Sequence, residues 1–164
     1  MDKDLQQKLY ETYPKIFSQK DLPMTDTAMC WGVATGNGWY DIIDNLCSLI
    51  QQRVNQPYES IKLYEKWIAE SSDKSLVEKW EKRIEEEKQK IISVEFVQVK
   101  EKFGTLRIYH NCDHDYIDGL ISMAESISAI TCEQCGNKGT LSTKGWYHTL
   151  CEPCRASRFS REIP

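Results

Sequence analysis

Two pairs of cysteines near the C-terminal end constrain this chain more than anything else in it. Cys132-Glu133-Gln134-Cys135-Gly136 and Leu150-Cys151-Glu152-Pro153-Cys154 each place two thiols three positions apart, with fifteen residues between the pairs. That spacing is one of those that mark zinc sites. A pair in a tight turn can present both sulfurs to one ion at about 2.3 Å, and a structural zinc fills all four positions with protein ligands. Cys132, Cys135, Cys151 and Cys154 are therefore the expected metal ligands, with zinc as a structural cofactor.

Gly136 follows the second thiol, where the chain must reverse and positive φ is needed. Between the pairs, Lys138 to Leu141 and Gly145 to Leu150 read as two short strands joined around Ser142-Thr143-Lys144. Pro153 suits a first helical turn, with Arg155 to Ser160 continuing that helix. This order of turn, hairpin and turn resembles treble-clef and zinc-ribbon modules alike. The competing readings are two disulfides or four free thiols. Disulfides need an oxidising compartment, and Met1 to Tyr10 is rich in Asp, Lys and Gln rather than apolar, so a cytoplasmic, metal-binding chain is expected.

With 164 residues the chain can bury a real core and carry a small metal module beside it. Its net charge of −4 gives no global field toward nucleic acid or an anionic membrane. The sequence contains no apolar run of the ~18 residues a spanning helix requires, so no membrane partner is expected. Residues 132–164 lean the other way, with Lys138, Lys144, Arg155, Arg158 and Arg161 against Glu133, Glu152 and Glu162. The remaining cysteines, Cys30, Cys47 and Cys112, read as unpaired thiols, and Cys47 as a small buried hydrophobe.

Along the chain, residues 4–17 predict a short helix broken near Pro14, followed by a linker over 18–27. Residues 28–40 hold three glycines and two tryptophans, which predicts a constrained loop anchored by its aromatics. Trp39, Ile42, Ile43, Leu46, Leu49, Ile50 and Val54 then share one face of an amphipathic helix over 39–55, expected to stop at Pro57. Residues 58–70 and 75–91 show helical spacing in a charged stretch and predict a helical hairpin inserted at 57–92 and protruding from the core. Asp73 is a candidate cap. Its charged faces read as solvated, or as a coiled-coil surface for a partner.

Residues 93–100 and 105–110 alternate as strands, with 101–104 as the turn of an antiparallel hairpin. Next, His110-Asn111-Cys112-Asp113-His114-Asp115 is either a weak second polar site, with His110, Cys112 and His114 as metal ligands, or a turn in which Asp113 or Asp115 caps the next helix. Residues 116–130 form that helix and run directly into Cys132. The fold expected is α+β: residues 1–131 as a β-hairpin packed by amphipathic helices, and 132–164 as a four-cysteine module with a basic tail.

Taken together, Trp31 to Ile43, Val99 to Arg107, Cys132 to Gly136 and Gly145 to Cys151 resemble a family of small zinc-ribbon-tailed proteins carried by phages and prophages. The resemblance covers both ends of the chain and leaves 57–92 as a variable insert. It implies zinc, a mobile-element origin and a cytoplasmic site of action, and it supplies no catalytic residue. Three functions follow as expectations. The first is a non-enzymatic protein that occupies a host macromolecule, including a restriction or CRISPR defence component. The second is nucleic-acid binding, in which Lys144, Trp146, Tyr147, Arg155 and Arg158 combine stacking with phosphate contact. Trp31, Trp39 and Tyr40 of the glycine loop are further candidate contacts. The third is an enzyme using Asp41, Asp44, Arg107 and His110 or His114, although no recognised motif ties them to a reaction.

Overall fold

The structure, a computed structural model, describes residues 1–143 and 145–159. In order, its elements are α1 (Lys3–Thr12), β1 (Val33–Ala34), α2 (Tyr40–Glu70), α3 (Lys74–Lys88), β2 (Phe96–Lys102), β3 (Thr105–His110), α4 (Asp115–Ser128), β4 (Thr140–Ser142), β5 (His148–Leu150) and α5 (Glu152–Phe159). The class is α+β, as the hydrophobic patterning predicts. Among the described residues no helix is long and apolar enough to cross a membrane. The chain divides into two compact units, one of residues 1–48 with 94 onward and one of Leu49–Ser93.

The first unit is built on a three-stranded sheet in the order β1-β2-β3. β2 and β3 form the expected antiparallel hairpin, from Phe96↔His110 to Lys102↔Thr105. Its turn is tighter than the sequence suggests: only Phe103 and Gly104 lie between the strands, at φ of 54° and 77°. Two successive positive φ values are what a type I′ turn needs, because its twist matches that of the flanking strands. The glycine-rich loop supplies the third strand, pairing Val33 with Val99 and Ala34 with Lys100 in parallel.

Core formation follows the apolar positions. α1 ends at Thr12, two residues ahead of Pro14, because the residue before a proline is pushed out of the helical region. Tyr10, Phe17 and Phe96 then stack tilted and edge-on, with centroids 5.1 and 5.4 Å apart. Ile43, Leu46 and Cys47 of α2 are buried, and burial pushes the Cys47 thiol well up, which suits an inert hydrophobe. On α4 the buried row is Ile117, Ile121, Ala124 and Ser128, whereas Tyr116 and Ile127 on the helix and Ile130 beyond its end are exposed.

Trp39 is fully buried, and its indole Nε1 donates to the Thr131 carbonyl at 2.8 Å. Its place is in the core, so the expectation that it contacts a partner is corrected. The expectation that Pro57 stops the helix is corrected as well. Pro57 lies inside the 31-residue α2 and is buried; the proline removes one backbone donor, but the turns on either side carry the helix through.

The second unit is a pair of helical segments. Tyr64, Trp67 and Trp80 form a chain of ring contacts at 5.6 and 5.7 Å that joins the end of α2 to α3. Asp73 caps α3, its carboxylate accepting from Ser75 N and Leu76 N. Exposed pairs such as Arg83–Glu86 and Lys88–Glu85 follow helical spacing and contribute little individually.

Replacing Trp39 by Phe removes the Thr131 hydrogen bond and part of a fully buried ring. The expected loss is about 2–3 kcal/mol, read as a lower urea midpoint with an unchanged slope.

Candidate metal centre

Four sulfurs converge because three local features turn the backbone toward them. The first pair sits in a tight loop beyond α4. Cys132 N donates to Asn137 O at 2.7 Å, Gly136 N donates to Cys132 O at 2.9 Å, and Gly139 N donates to Ile130 O at 2.8 Å. Gly136 takes φ 77°, where any other residue would be strained. The β4–β5 hairpin then returns the chain, pairing Thr140 with Leu150 and Ser142 with His148. Finally α5 starts at Glu152, so Cys151 precedes the helix and Cys154 occupies its first turn.

In this arrangement the Sγ atoms of Cys132, Cys135, Cys151 and Cys154 all lie within 4.8 Å of one another, and Cys135 and Cys151 are 3.5 Å apart. Ligands at about 2.3 Å from a tetrahedral ion are ~3.8 Å from each other, so the four thiols can hold a metal ion. The Cys135 thiol is held down to about 7, first by the backbone N–H of Asn137. Donation of the Cys154 S–H to Cys151, and then burial, push Cys154 up. Such opposed shifts belong to four acids that cannot share negative charge among themselves, and a cation relieves this. Leu150 closes the apolar side of the cluster beside Cys132 and Cys151.

The module is seated on the glycine loop. Gly38 N donates to the Glu133 carbonyl at 2.7 Å, and Gly36 N donates to the Glu133 carboxylate at 2.9 Å. A Cβ at Gly38 would lie 2.2 Å from Cys132 O and 2.4 Å from Gly136 N, and one at Gly36 would lie 2.3 Å from Glu133 O. The obstacle in both cases is backbone, which cannot swing aside. Gly36-Asn37-Gly38 is thus the floor of the metal-binding turn, a role invisible in the sequence because the partners are 97 residues apart. A glycine pair flanking one polar residue beside a tryptophan is the signal that could have raised it.

A second seat lies at the tip of the β2–β3 hairpin. Thr149 Oγ1 donates to Gly104 O at 2.6 Å, and a Cβ at Gly104 would meet Leu141 at 2.4 Å and His148 N at 3.0 Å. This packing brings Phe103 to Tyr147, with ring centroids 6.1 Å apart. Trp146, Phe103 and Tyr147 are 75%, 66% and 41% exposed. With Lys100, Glu101 and Lys102 they line a groove of about 870 Å³. Phe103, Lys100 and Lys102 are not singled out by the sequence pattern. The available signal is a bulky aromatic at a turn position that needs positive φ.

The other candidates are placed as follows. Trp31 is 69% exposed and Tyr40 half-buried, with the Lys8 ammonium 5.8 Å from the Tyr40 ring. Arg155 is a strut: Nη2 donates to Thr140 O and Oγ1, both at 2.9 Å. Arg158 acts electrostatically on Glu133. Lys144 lies outside the described residues, as do Ser160 and Arg161 of the basic tail.

His110, Cys112 and His114 do not gather. His110 Nε2 lies 3.1 Å from Asp118 and its Nδ1 accepts from Cys112 N. His114, rather than Asp113 or Asp115, caps α4, with Nδ1 accepting from Tyr116 N. An imidazole nitrogen at this position reaches the N2 amide as a carboxylate would. Among the described residues the four cysteines are the group that could hold a metal ion. Asp44 accepts from the Tyr13 hydroxyl, raised to about 12 by burial and then by that hydrogen bond, and Arg107 pairs with Glu125 at 3.5 Å.

Gly38→Ala should undock the first cysteine turn. We expect a loss of at least ~3 kcal/mol and faster amide exchange over 131–139 than over β2 and β3, whereas Gly119→Ala, where a Cβ meets nothing within 4 Å, serves as the neutral control. Set against protein-family models, curated proteins and solved structures, the chain matches none of them.

Proposed function

We propose that this is a non-enzymatic binding protein whose C-terminal module is held by one structural zinc ion on Cys132, Cys135, Cys151 and Cys154, and which acts by occupying a macromolecule. The carrying observation is the convergence of four sulfurs within 4.8 Å, the first two of them on a turn seated against Gly36 and Gly38. Four thiolates select zinc or iron among common metals. A fully thiolate-ligated zinc supplies folding free energy and leaves no position for a substrate. Asn137 Nδ2, 3.4 Å from Cys135 Sγ, is placed to hold that sulfur as a thiolate. A mobile-element origin, as the sequence resemblance implies, and a host target belong to the same proposal.

Metal analysis of the purified protein should return one zinc per chain in a colourless sample; a coloured protein with iron would replace zinc in this reading. Cys132→Ser should abolish stoichiometric zinc and lower Tm by on the order of 10 °C. Equal stability with no metal would sink the proposal. Pull-down from lysate with and without nuclease then separates a protein target from a nucleic-acid one.

Metal binding must displace protons from the thiols, so affinity falls as pH falls. Because more than one thiol gives up a proton, apparent affinity should change more than tenfold per pH unit between about pH 8 and 6, as measured by competition with a chromogenic chelator. Asn137→Ala removes only the Nδ2 contact at 3.4 Å and keeps the backbone N–H that chiefly holds Cys135 down, so the profile should move toward higher pH by a small step.

A further inference from the structure

The groove between the two hairpin tips has a chemistry that the metal module does not need. Phe103 stands at the tip of β2–β3 and Trp146 and Tyr147 precede β5, all three exposed. Phe103 and Tyr147 meet each other, yet Trp146 and Phe103, at 75% and 66% exposure, keep most of their surface in water. Lys100 and Lys102 leave β2 on one face, because alternate residues of a strand share a side. Their ammonium groups lie 5.3 Å from the Tyr109 ring and 5.4 Å from the Phe103 ring. Glu101 is the one acidic residue of the lining, and its carboxylate accepts from Gly104 N at 2.5 Å, which ties it to the turn.

We propose that this groove binds single-stranded nucleic acid, with bases stacking on Trp146, Phe103 and Tyr147 and phosphates following Lys100 and Lys102. The inference rests on the binding-protein reading above and names its partner. Charge complementarity selects a polyanion, on a chain whose net charge of −4 offers no general attraction for one. The rings then select among polyanions. Bases of a single strand present free π-faces, worth a large share of affinity to an aromatic platform, whereas those of a duplex are already stacked on one another. An acidic peptide would satisfy the lysines and leave three aromatic faces without a planar partner. The walls are fixed in advance by the Gly104 seat and the Thr149 hydrogen bond, so little ordering is required on binding.

The test is fluorescence anisotropy of the intact zinc-loaded protein with a labelled oligothymidylate of about 15 nucleotides, a duplex of equal length and a polyglutamate peptide, across a salt series. We expect the single strand to bind best. Trp146→Ala and Phe103→Ala should each weaken it about tenfold or more, with thermal unfolding and zinc content unchanged. Lys100→Ala with Lys102→Ala should flatten the salt dependence by about 0.7 logarithmic units for each phosphate left without its ammonium partner. Binding that prefers polyglutamate, or that ignores the ring substitutions, overturns the proposal in favour of an acidic protein partner. No binding by a stable protein carrying one zinc overturns it too while the metal reading stands, and absent zinc removes both.

Discussion

A backbone-to-backbone contact that only glycine permits sits beneath everything the C-terminal module does. Where Gly38 meets Cys132 and Gly136, main chains approach so closely that a single methyl group would overlap the Cys132 carbonyl. Short cysteine turns have almost no apolar surface of their own and cannot dock by burying area. Here two N–H groups of the loop supply hydrogen bonds to Glu133 instead, and the fully buried Trp39 immediately behind them ties the loop to the end of α4 through Thr131. One stretch of chain therefore grips the core on one side and the metal-binding turn on the other.

Gly104 repeats this logic with the second half of the module. Between them the two seats fix the β4–β5 hairpin relative to the three-stranded sheet, using hydrogen bonds and close packing rather than a long linker. Arg155 adds a strut from α5 back to β4. The aromatic groove is a by-product of this rigid joint: its two walls belong to different hairpins, yet both hairpins are held by the same contacts that keep the sulfurs together. The cysteine cluster and the aromatic groove are in this way coupled through geometry without sharing a residue.

Much of this was legible in the sequence, for identifiable reasons. Cysteine spacing is a direct statement about which sulfurs can meet, and all four ligands follow from it. Alternation in residues 105–110, the helical row at Ile117, Ile121 and Ala124, and the Asp73 cap are local signals that the structure retains. The rest depends on distant partners. A two-residue strand at Val33–Ala34 has no periodicity to read, and its parallel neighbour is Val99. Trp39 reads both as a loop aromatic and as the first apolar residue of the helix over 39–55, and Thr131 beside it decides for the core. Pro57 misleads because helix-breaking is a local tendency that the surrounding turns override. His114 caps α4 although carboxylates stand on either side of it, a competition that composition alone does not decide.

The separation between Gly36 and Glu133 also sets an order of events during synthesis. At about 5–20 residues per second, the ribosome takes roughly 5–20 s to deliver Glu133 after Gly36, and the 97-position separation spans the whole helical pair. Throughout that interval the glycine loop holds its N-terminal partners, Asp2 and Gln6 among them, while the indole N–H of Trp39 lacks the carbonyl that will accept its hydrogen bond. The cysteine-bearing segment, which emerges late, thus seals a core laid down first. A nascent chain stalled before its first cysteine pair leaves the Trp39 indole without its Thr131 acceptor, open to chaperones or proteases.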